Sequence, residues 1–245
     1  MYQPETFTFP EDGHRAPVPR PGDGAPSLWL VDVAAQGGAA ARLAPGILDA
    51  AERARAAQLV APADRACYLT AHTALRLLLG ARLGVAPRDV PLIREPCPSC
   101  GGPHGRPATG GGVHFSLSHT RGLVLLAFAG VPVGADVELL QRPSVIAEIS
   151  GQLHPAEVRE LAELSGPERP VAFGRVWTRK EAYLKGEGIG LAEGLAAGYV
   201  GTGPEPAAGP AGWAVTDVRV PDGYAAAVAV RAAGRAPAGP ADRRR

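Results

Sequence analysis

The order of helices and strands along the sequence agrees with the α+β fold class. Two helices, from Ile47 to Leu59 and from Ala63 to Leu83, are predicted before any group of neighbouring strands. Three predicted strands between residues 113 and 139 are separated by short turns, which indicates an antiparallel meander. Two further helices, at 154–164 and about 170–185, precede a closing hairpin. Such segregation of helices and antiparallel strands is typical of α+β proteins.

Composition limits the classes of protein that fit. The 245 residues suffice for one large domain or for two smaller ones that share a core. The net charge of +1 gives no general electrostatic reason to bind nucleic acid or membranes. The segment Met1–Glu5 does not resemble a signal peptide, and no apolar run approaches the ~18 residues of a membrane span. Three cysteines, an odd number, fit a reducing compartment, so we expect a cytoplasmic protein.

The two ends of the chain are expected to be loosely held. Residues 1–26 are rich in proline and glycine, which predicts a loose arm, and residues 232–245 predict a disordered tail. The first strand is predicted from Leu28 to Val33. The closing hairpin is predicted from strands at 213–220 and 224–230, after a Gly/Pro linker at 201–212.

The helix from Ala63 to Leu83 carries basic residues on one face. Arg65, His72 and Arg76 fall on one helical stripe together with leucines, and Gly84 follows as a stop. One interpretation is an anion site that is partly covered by protein. The other is that long arginine side chains lie along the surface and keep their charges in water.

A cysteine pair lies in the long loop of residues 84–112. Cys97 and Cys100 form a Cys-x-x-Cys motif, and His104 follows closely, which would supply half of a zinc site. A structural zinc ion needs four ligands, and no second such motif is present. A tight turn that carries two thiols is therefore the favoured interpretation.

A serine and a histidine are expected to end the first strand of the meander. The strand is predicted from Val113 to Leu117, so Ser118 and His119 begin the turn, where side chains and free N–H groups could hold an anion. No acidic residue nearby completes a hydrolase triad, and no Gly-x-Ser-x-Gly elbow is present. Ser118 is therefore not expected to be a nucleophile.

Two carboxylates share one face of the third strand. In the segment Val133–Leu139, Asp136 and Glu138 lie about 6.6 Å apart along the strand. They repel each other unless a cation lies between them, and oxygen ligands suit Mg²⁺. The alternative is a solvated face of an edge strand.

The helix of residues 170–185 carries an acid and two lysines. Glu181 and Lys185 lie about 40° apart at the edge of an apolar face, and Gly186 is the expected stop. Lys180 projects from within the apolar face, so it needs a partner or must reach out to water. Glu181 and Lys185 could be an ordinary helical ion pair, or an acid that completes a metal site beside a lysine that meets phosphate.

Four motifs in order resemble the Sfp-type 4′-phosphopantetheinyl transferase superfamily. In chain order, they are Gly105-Arg106-Pro107, the turn Phe115–His119, the strand Gly134-Ala135-Asp136-Val137-Glu138 and the helix Trp177–Lys185. The resemblance spans roughly Asp64 to Gly190. It implies an α+β fold of two similar halves, residues 1–133 and 134–245, related by a pseudo-twofold axis with the active site in the cleft between them.

The resemblance also implies a reaction. The phosphopantetheine arm of coenzyme A would pass to a serine of an apo acyl or peptidyl carrier protein of polyketide, nonribosomal peptide or fatty-acid synthesis. The other product would be adenosine 3′,5′-bisphosphate, and the enzyme would be a monomer. Two alternatives are a non-catalytic module that binds coenzyme A or a carrier, and a metal-dependent phosphohydrolase.

Residue roles follow from the same resemblance. Asp136, Glu138 and Glu181 would hold Mg²⁺, or Mn²⁺, and Glu181 would also take the proton of the carrier serine. Lys185 would stabilise charge on the phosphate. The implied contacts to coenzyme A come from seven side chains: Arg65, Arg76, Arg106, Ser118, His119, Lys180 and Lys185.

Overall fold

The computed structural model describes residues 1–11, 16–20, 25–103, 105–189 and 194–232. Its strands are β1 Glu5–Thr6, β2 Ser27–Asp32, β3 Ile93–Arg94, β4 Pro107–Ala108, β5 His114–Thr120, β6 Leu123–Ala129, β7 Val133–Leu139, β8 Trp213–Asp217 and β9 Tyr224–Arg231. Its α-helices are α1 Val33–Ile47, α2 Ala50–Gln58, α3 Pro62–Leu83, α4 Pro143–Ile149, α5 Pro155–Glu163 and α6 Glu168–Glu187. This mixture of helices and mainly antiparallel sheets confirms the α+β class. His104 and the tail at 233–245 lie outside the described residues.

Two sheets form the centre of the molecule. The first has the strand order β1-β2-β6-β5, and the second has the order β7-β9-β8. All pairs are antiparallel except β1 with β2. The predicted meander is therefore wrong in one respect, because β7 pairs with β9 rather than with β6. Strands β3 and β4 form a separate short hairpin.

The alternation of side chains along the strands arranges the sheets and helices in layers. One face of the first sheet, with Trp29, Val124 and Phe128, packs against α1 and α3. Its other face packs through Leu123 and Leu125 against the second sheet. The far face of the second sheet packs against α6. Strand β6 is thus buried on both faces, which is why its sequence is apolar throughout.

The expectation of a loose N-terminal arm is wrong for residues 1–11. Phe7 and Phe9 are buried against Trp29 in the first core, and β1 pairs with β2. Tyr2 also bridges to Val218 of the C-terminal part. The burial of two aromatic rings offsets the conformational entropy that this proline-rich segment loses when it becomes ordered.

Two helix predictions are corrected. The predicted helix from Ile47 to Leu59 is α2, which begins only at Ala50 after the capping box of Asp49 and Glu52, and α1 before it was not predicted. Gly186 does not stop α6, which continues to Glu187 and ends at Gly188 with a φ of +81°. The end of α3 at Gly84 is confirmed, with a φ of +71°. None of the helices described is long and apolar enough to cross a bilayer.

Serine hydroxyls join the two sheets. The Ala135 N–H donates to Ser116 Oγ at 2.9 Å, and the Val137 N–H donates to Ser118 Oγ at 3.3 Å. In an ordinary sheet, the backbone carbonyl groups of a neighbouring strand would accept these hydrogen bonds. Here the two serine hydroxyl groups of β5 accept them instead. Strand β7 is therefore held beside β5 with its acidic residues turned toward α6.

Candidate functional site

Asp136 lies at the centre of the predicted acidic site. It is 1% exposed, and its Oδ1 accepts bonds from Ser118 Oγ at 2.7 Å and from Lys185 Nζ at 2.5 Å. Its Oδ2 is buried and has no hydrogen-bond partner. A buried carboxylate oxygen without a partner is costly, so this atom is suited to a ligand that supplies positive charge.

The charge of Asp136 acts on both Glu138 and Glu181. Burial and the charge of Asp136 raise the pKa of Glu138 to about 7, against a hydrogen bond from Thr120 and the charge of Lys185. Burial, Asp136 and Glu138 also raise the pKa of Glu181 to about 7, and Lys185 opposes this. The strand β7 and the helix α6 therefore bring three mutually repelling carboxyl groups and one lysine together.

The donor set of this site fits a hard divalent cation. Asp136, Glu138 and Glu181 offer only oxygen atoms, and a cation would relieve their repulsion and supply the missing partner of Asp136 Oδ2. Among the described residues, no group of three or more His, Cys, Asp or Glu side chains already stands in metal-binding geometry. The residues present therefore fit a cation in chemistry, and the carboxylates would have to draw closer to hold one.

A very close approach of α6 to β7 places Glu181 beside Asp136. At Gly134, an added Cβ would lie 1.9 Å from the Ala182 carbonyl oxygen and 2.4 Å from the Gly186 nitrogen. At Gly186, an added Cβ would lie 2.6 Å from the ring of Trp213. These two glycines thus let strand and helix touch backbone to backbone.

Replacement of Gly134 by alanine is expected to lower the free energy of unfolding by about 3 kcal/mol. The new methyl group meets backbone atoms, which cannot move aside unless α6 moves with them. Thermal or urea unfolding measures this loss. Gly151→Ala is the matched control, because nothing lies within 4 Å of its added Cβ. Equal stability of the two variants would contradict the close approach.

Lys185 lines a groove of about 390 Å³. The groove lies between α3, β5 and α6, and its polar lining includes His72, Arg94, Arg106 and Ser116. Arg106 donates to Glu95 at 2.6 Å and to the Gly186 carbonyl at 2.9 Å, so it links the groove wall to α6. The groove is large enough for part of an extended anionic ligand, and its cations and lysine are placed to meet one.

Ser118 and His119 do not begin a turn, contrary to the sequence prediction. Both lie within β5, which extends to Thr120, so their side chains point to opposite faces of the strand. Ser118 is buried and uses its hydroxyl fully, with one bond donated to Asp136 and bonds accepted from Val137 and Lys185. His119 lies on the other side, where desolvation and the neighbouring His72 and Lys185 lower its pKa.

Arg76, which the resemblance expected to meet phosphate, is paired within the protein in this structure. Its side chain is 2% exposed and donates to Glu52 and Asp49 at 2.6 Å each. It also bonds the carbonyls of Pro87, Arg88 and Val90. The anion that this arginine binds is thus the carboxylate pair of α2. Arg65 is exposed and donates to the Leu59 carbonyl.

Lys180, for which the resemblance implied a contact to coenzyme A, is also paired within the protein. It is 2% exposed, and its ammonium lies 2.9 Å from Glu157 and 2.6 Å from the Gly198 carbonyl. The sequence argument that this lysine needs a partner is confirmed. The partner could not be identified from spacing, because Glu157 belongs to a different helix, α5.

The cysteines lie outside the acidic site. Cys97 is buried and Cys100 exposed in a turn closed by a bond from the Gly101 N–H to the Cys97 carbonyl. Cys67 donates to the Thr120 carbonyl, and burial raises the pKa of its thiol to about 11. The thiol of Cys67 is therefore protonated at neutral pH and is a poor nucleophile.

Comparison with known proteins agrees with this geometry. A family model described as the 4′-phosphopantetheinyl transferase superfamily matches residues 132–208, which include Asp136, Glu138, Glu181 and Lys185. The 4′-phosphopantetheinyl transferase HetI of Nostoc sp. is 31% identical over 199 residues, 78% of this chain and 81% of that protein. The 4′-phosphopantetheinyl transferase Sfp of Bacillus subtilis is 33% identical over 79 residues, 32% of this chain and 34% of that protein. The chain belongs to the 4′-phosphopantetheinyl transferase superfamily.

Proposed function

We propose that this protein is a 4′-phosphopantetheinyl transferase that moves the phosphopantetheine arm of coenzyme A to a serine of an apo carrier protein. The single observation that carries the proposal is the buried, unpartnered Oδ2 of Asp136, which lies beside two carboxyl groups that it repels and beside Lys185, a residue of the groove wall. Such a set suits a cation and a pyrophosphate rather than a covalent nucleophile. The carrier would be an acyl or peptidyl carrier of polyketide, nonribosomal peptide or fatty-acid synthesis.

Three carboxylates would hold the metal ion. Asp136, Glu138 and Glu181 are the ligands we propose for Mg²⁺, and Mn²⁺ accepts the same oxygen donors. When bound, the ion neutralises charge on the pyrophosphate of coenzyme A. Within the protein, Ser118 keeps Asp136 oriented by its 2.7 Å bond.

Glu181 and Lys185 are the residues to which we assign proton and charge transfer. Glu181 lies beside Asp136 and would accept the proton of the incoming serine hydroxyl, directly or through water. The serine oxygen then bonds to phosphorus, and the bond from that phosphorus to the oxygen of adenosine 3′,5′-bisphosphate breaks. Lys185, which is 34% exposed, would stabilise the charge that moves onto the leaving phosphate.

The groove is our proposed site for coenzyme A. Arg106 and His72 of α3 both line it, so both can meet phosphate or nucleotide. We further propose that residues 1–133 and 134–245 are two similar halves related by a pseudo-twofold axis. In support, each half packs one long helix, α3 or α6, on a sheet of its own. Since one chain supplies both walls, we expect the monomer to be active.

Mass spectrometry of carrier proteins tests the function. The protein is incubated with coenzyme A, Mg²⁺ and a panel of apo carriers, and we expect each accepted carrier to gain one phosphopantetheine arm at its serine. Binding of coenzyme A without transfer to any carrier would contradict the proposal and indicate a binding module. Release of adenosine 3′,5′-bisphosphate in the absence of a carrier would instead indicate a phosphohydrolase.

The raised pKa values of Glu138 and Glu181 predict how pH affects stability. Because the folded protein holds these protons more tightly than the unfolded chain, their contribution to stability is complete below about pH 4.5 and is lost as pH rises through about 7. Mg²⁺ replaces the lost protons, so it should raise the melting temperature by a few degrees at pH 8 and hardly at all at pH 5.5.

Thermal unfolding at the two pH values, with and without Mg²⁺, measures this effect. The double variant Glu138→Gln/Glu181→Gln serves as the control, because it cannot lose these protons. An equal Mg²⁺ effect at both pH values in the wild-type protein would count against the proposed ligands.

A further inference from the structure

Lysine is used sparingly in this chain. Lysine and arginine total 25, and only Lys180 and Lys185 are lysines. Both lie in α6, on either side of Glu181. Lys185 is 34% exposed and reaches the groove, whereas Lys180 is 2% exposed and faces away into the C-terminal part. The two lysines of α6 therefore have different roles.

The ammonium of Lys180 joins three parts of the structure. It pairs with Glu157, a fully buried residue of α5, and donates to the carbonyl of Gly198 in the segment before β8. Glu157 in turn accepts bonds from the N–H groups of His154 and Val200. Burial lowers the pKa of Lys180 although Glu157 opposes the shift. A buried pair with its remaining hydrogen bonds satisfied fixes geometry more than it adds stability.

The neighbours of Glu181 along the helix are both fixed in place. Successive residues of a helix are separated by 100°, so Lys180 on one side and Ala182 on the other bracket Glu181. Lys180 is tied to α5, and the Ala182 carbonyl lies against Gly134 of β7. Since the tip of a side chain lies about 6 Å from the helix axis, a rotation of about 10° would move the Glu181 carboxylate by about 1 Å.

We propose that Lys180 is a positioning residue for the transfer reaction, which sets the rotation of α6 and so holds Glu181 at Asp136, without contacting coenzyme A. The inference rests on the proposed function for its kinetic consequence and on the contacts of Lys180 for its geometry. A displacement of about 1 Å at a reacting group can lower a rate about 100-fold. Loss of the Lys180 contact should therefore reduce kcat more than it changes the KM for coenzyme A.

Amine labelling of the wild-type protein tests the geometry directly. Because the chain has two lysines, an amine-reactive acetylating reagent followed by peptide mass spectrometry reports on each of them separately. We expect Lys185 to be labelled and to be protected by coenzyme A with Mg²⁺, and Lys180 to stay unlabelled with or without coenzyme A. Labelling in urea shows that the reagent detects Lys180 once it is exposed. Labelling of Lys180 in the folded protein that coenzyme A prevents would overturn the proposal.

Steady-state kinetics of Lys180→Met tests the consequence. We expect kcat to fall at least about 10-fold while the KM for coenzyme A stays within about threefold of wild type. Arg175→Met is the matched control on the same helix and should retain the wild-type kcat and KM, because Arg175 lines a separate groove with Leu164 and Pro204. A rise of KM beyond threefold, or an unchanged kcat, would overturn the proposal.

Two results distinguish a failure of this inference from a failure of the proposed function on which it rests. If Lys180→Met does not fold, the double variant Lys180→Met/Glu157→Gln, which leaves no buried charge unpaired, takes its place with the same expectation for kcat and KM. If the wild-type protein transfers nothing to any carrier, the proposed function fails, and the labelling of Lys180 still decides its geometry.

Discussion

Replacement of Asp136 by asparagine is expected to reduce phosphopantetheine transfer at least about 100-fold and to leave the protein folded. Asparagine has the shape of aspartate but lacks the charge that pairs with Lys185 and that the unpartnered Oδ2 would offer to a cation. Stability should hold, because the loss of this charge also removes the repulsion that Asp136 exerts on Glu138 and Glu181. Carrier loading by mass spectrometry and thermal unfolding measure the two effects.

Asp222→Asn is the matched control for this prediction. Asp222 lies exposed in the turn between β8 and β9, so the same chemical change there should leave both transfer and stability near wild type. Unimpaired transfer by Asp136→Asn, or by Asp136→Ala, would contradict the role that we assign to Asp136.

Elements with local signals could be predicted from the sequence. The sequence predicts β7 with its observed ends, because the alternation of its side chains and its flanking turns depend on consecutive residues. The end of α3 was predicted for a similar reason, since Gly84 adopts the left-handed conformation of a helix stop. Gly186 carries the same local signal but continues the helix, because its missing side chain makes room for Trp213.

Contacts between distant residues could not be predicted in this way. A cation within an apolar helix face predicts either a ligand site or a buried ion pair, and the choice depends on what the fold brings opposite. Arg76 meets Glu52 across 24 positions, and Lys180 meets Glu157 of another helix. Lys185, only five positions after Lys180, meets Asp136 and the groove. Both residues are lysines of the same helix, so the type of side chain does not distinguish their roles. Only the packing of α6 does.

Arg179 is expected to have the largest single effect on stability. Its guanidinium is fully buried, makes two bonds of 2.6–2.7 Å to Asp217 of β8, and donates to the carbonyls of Gly201 and Gly203. Arg179→Met leaves Asp217 buried without its partner, which should lower the free energy of unfolding by about 3–5 kcal/mol.

Urea unfolding of Arg179→Met beside Arg175→Met separates this ion pair from a general effect of removing a cation from α6. Arg175 is half-buried and lines a separate groove, so its variant should lose less than about 1 kcal/mol. A similarly small loss in Arg179→Met would contradict a structural role for the pair. Because Arg179 and Lys180 bond to neighbouring carbonyls of the segment 198–203, they hold that segment against α6. The two cations before Glu181 are thus paired within the fold, whereas Lys185 meets Asp136 and lines the groove.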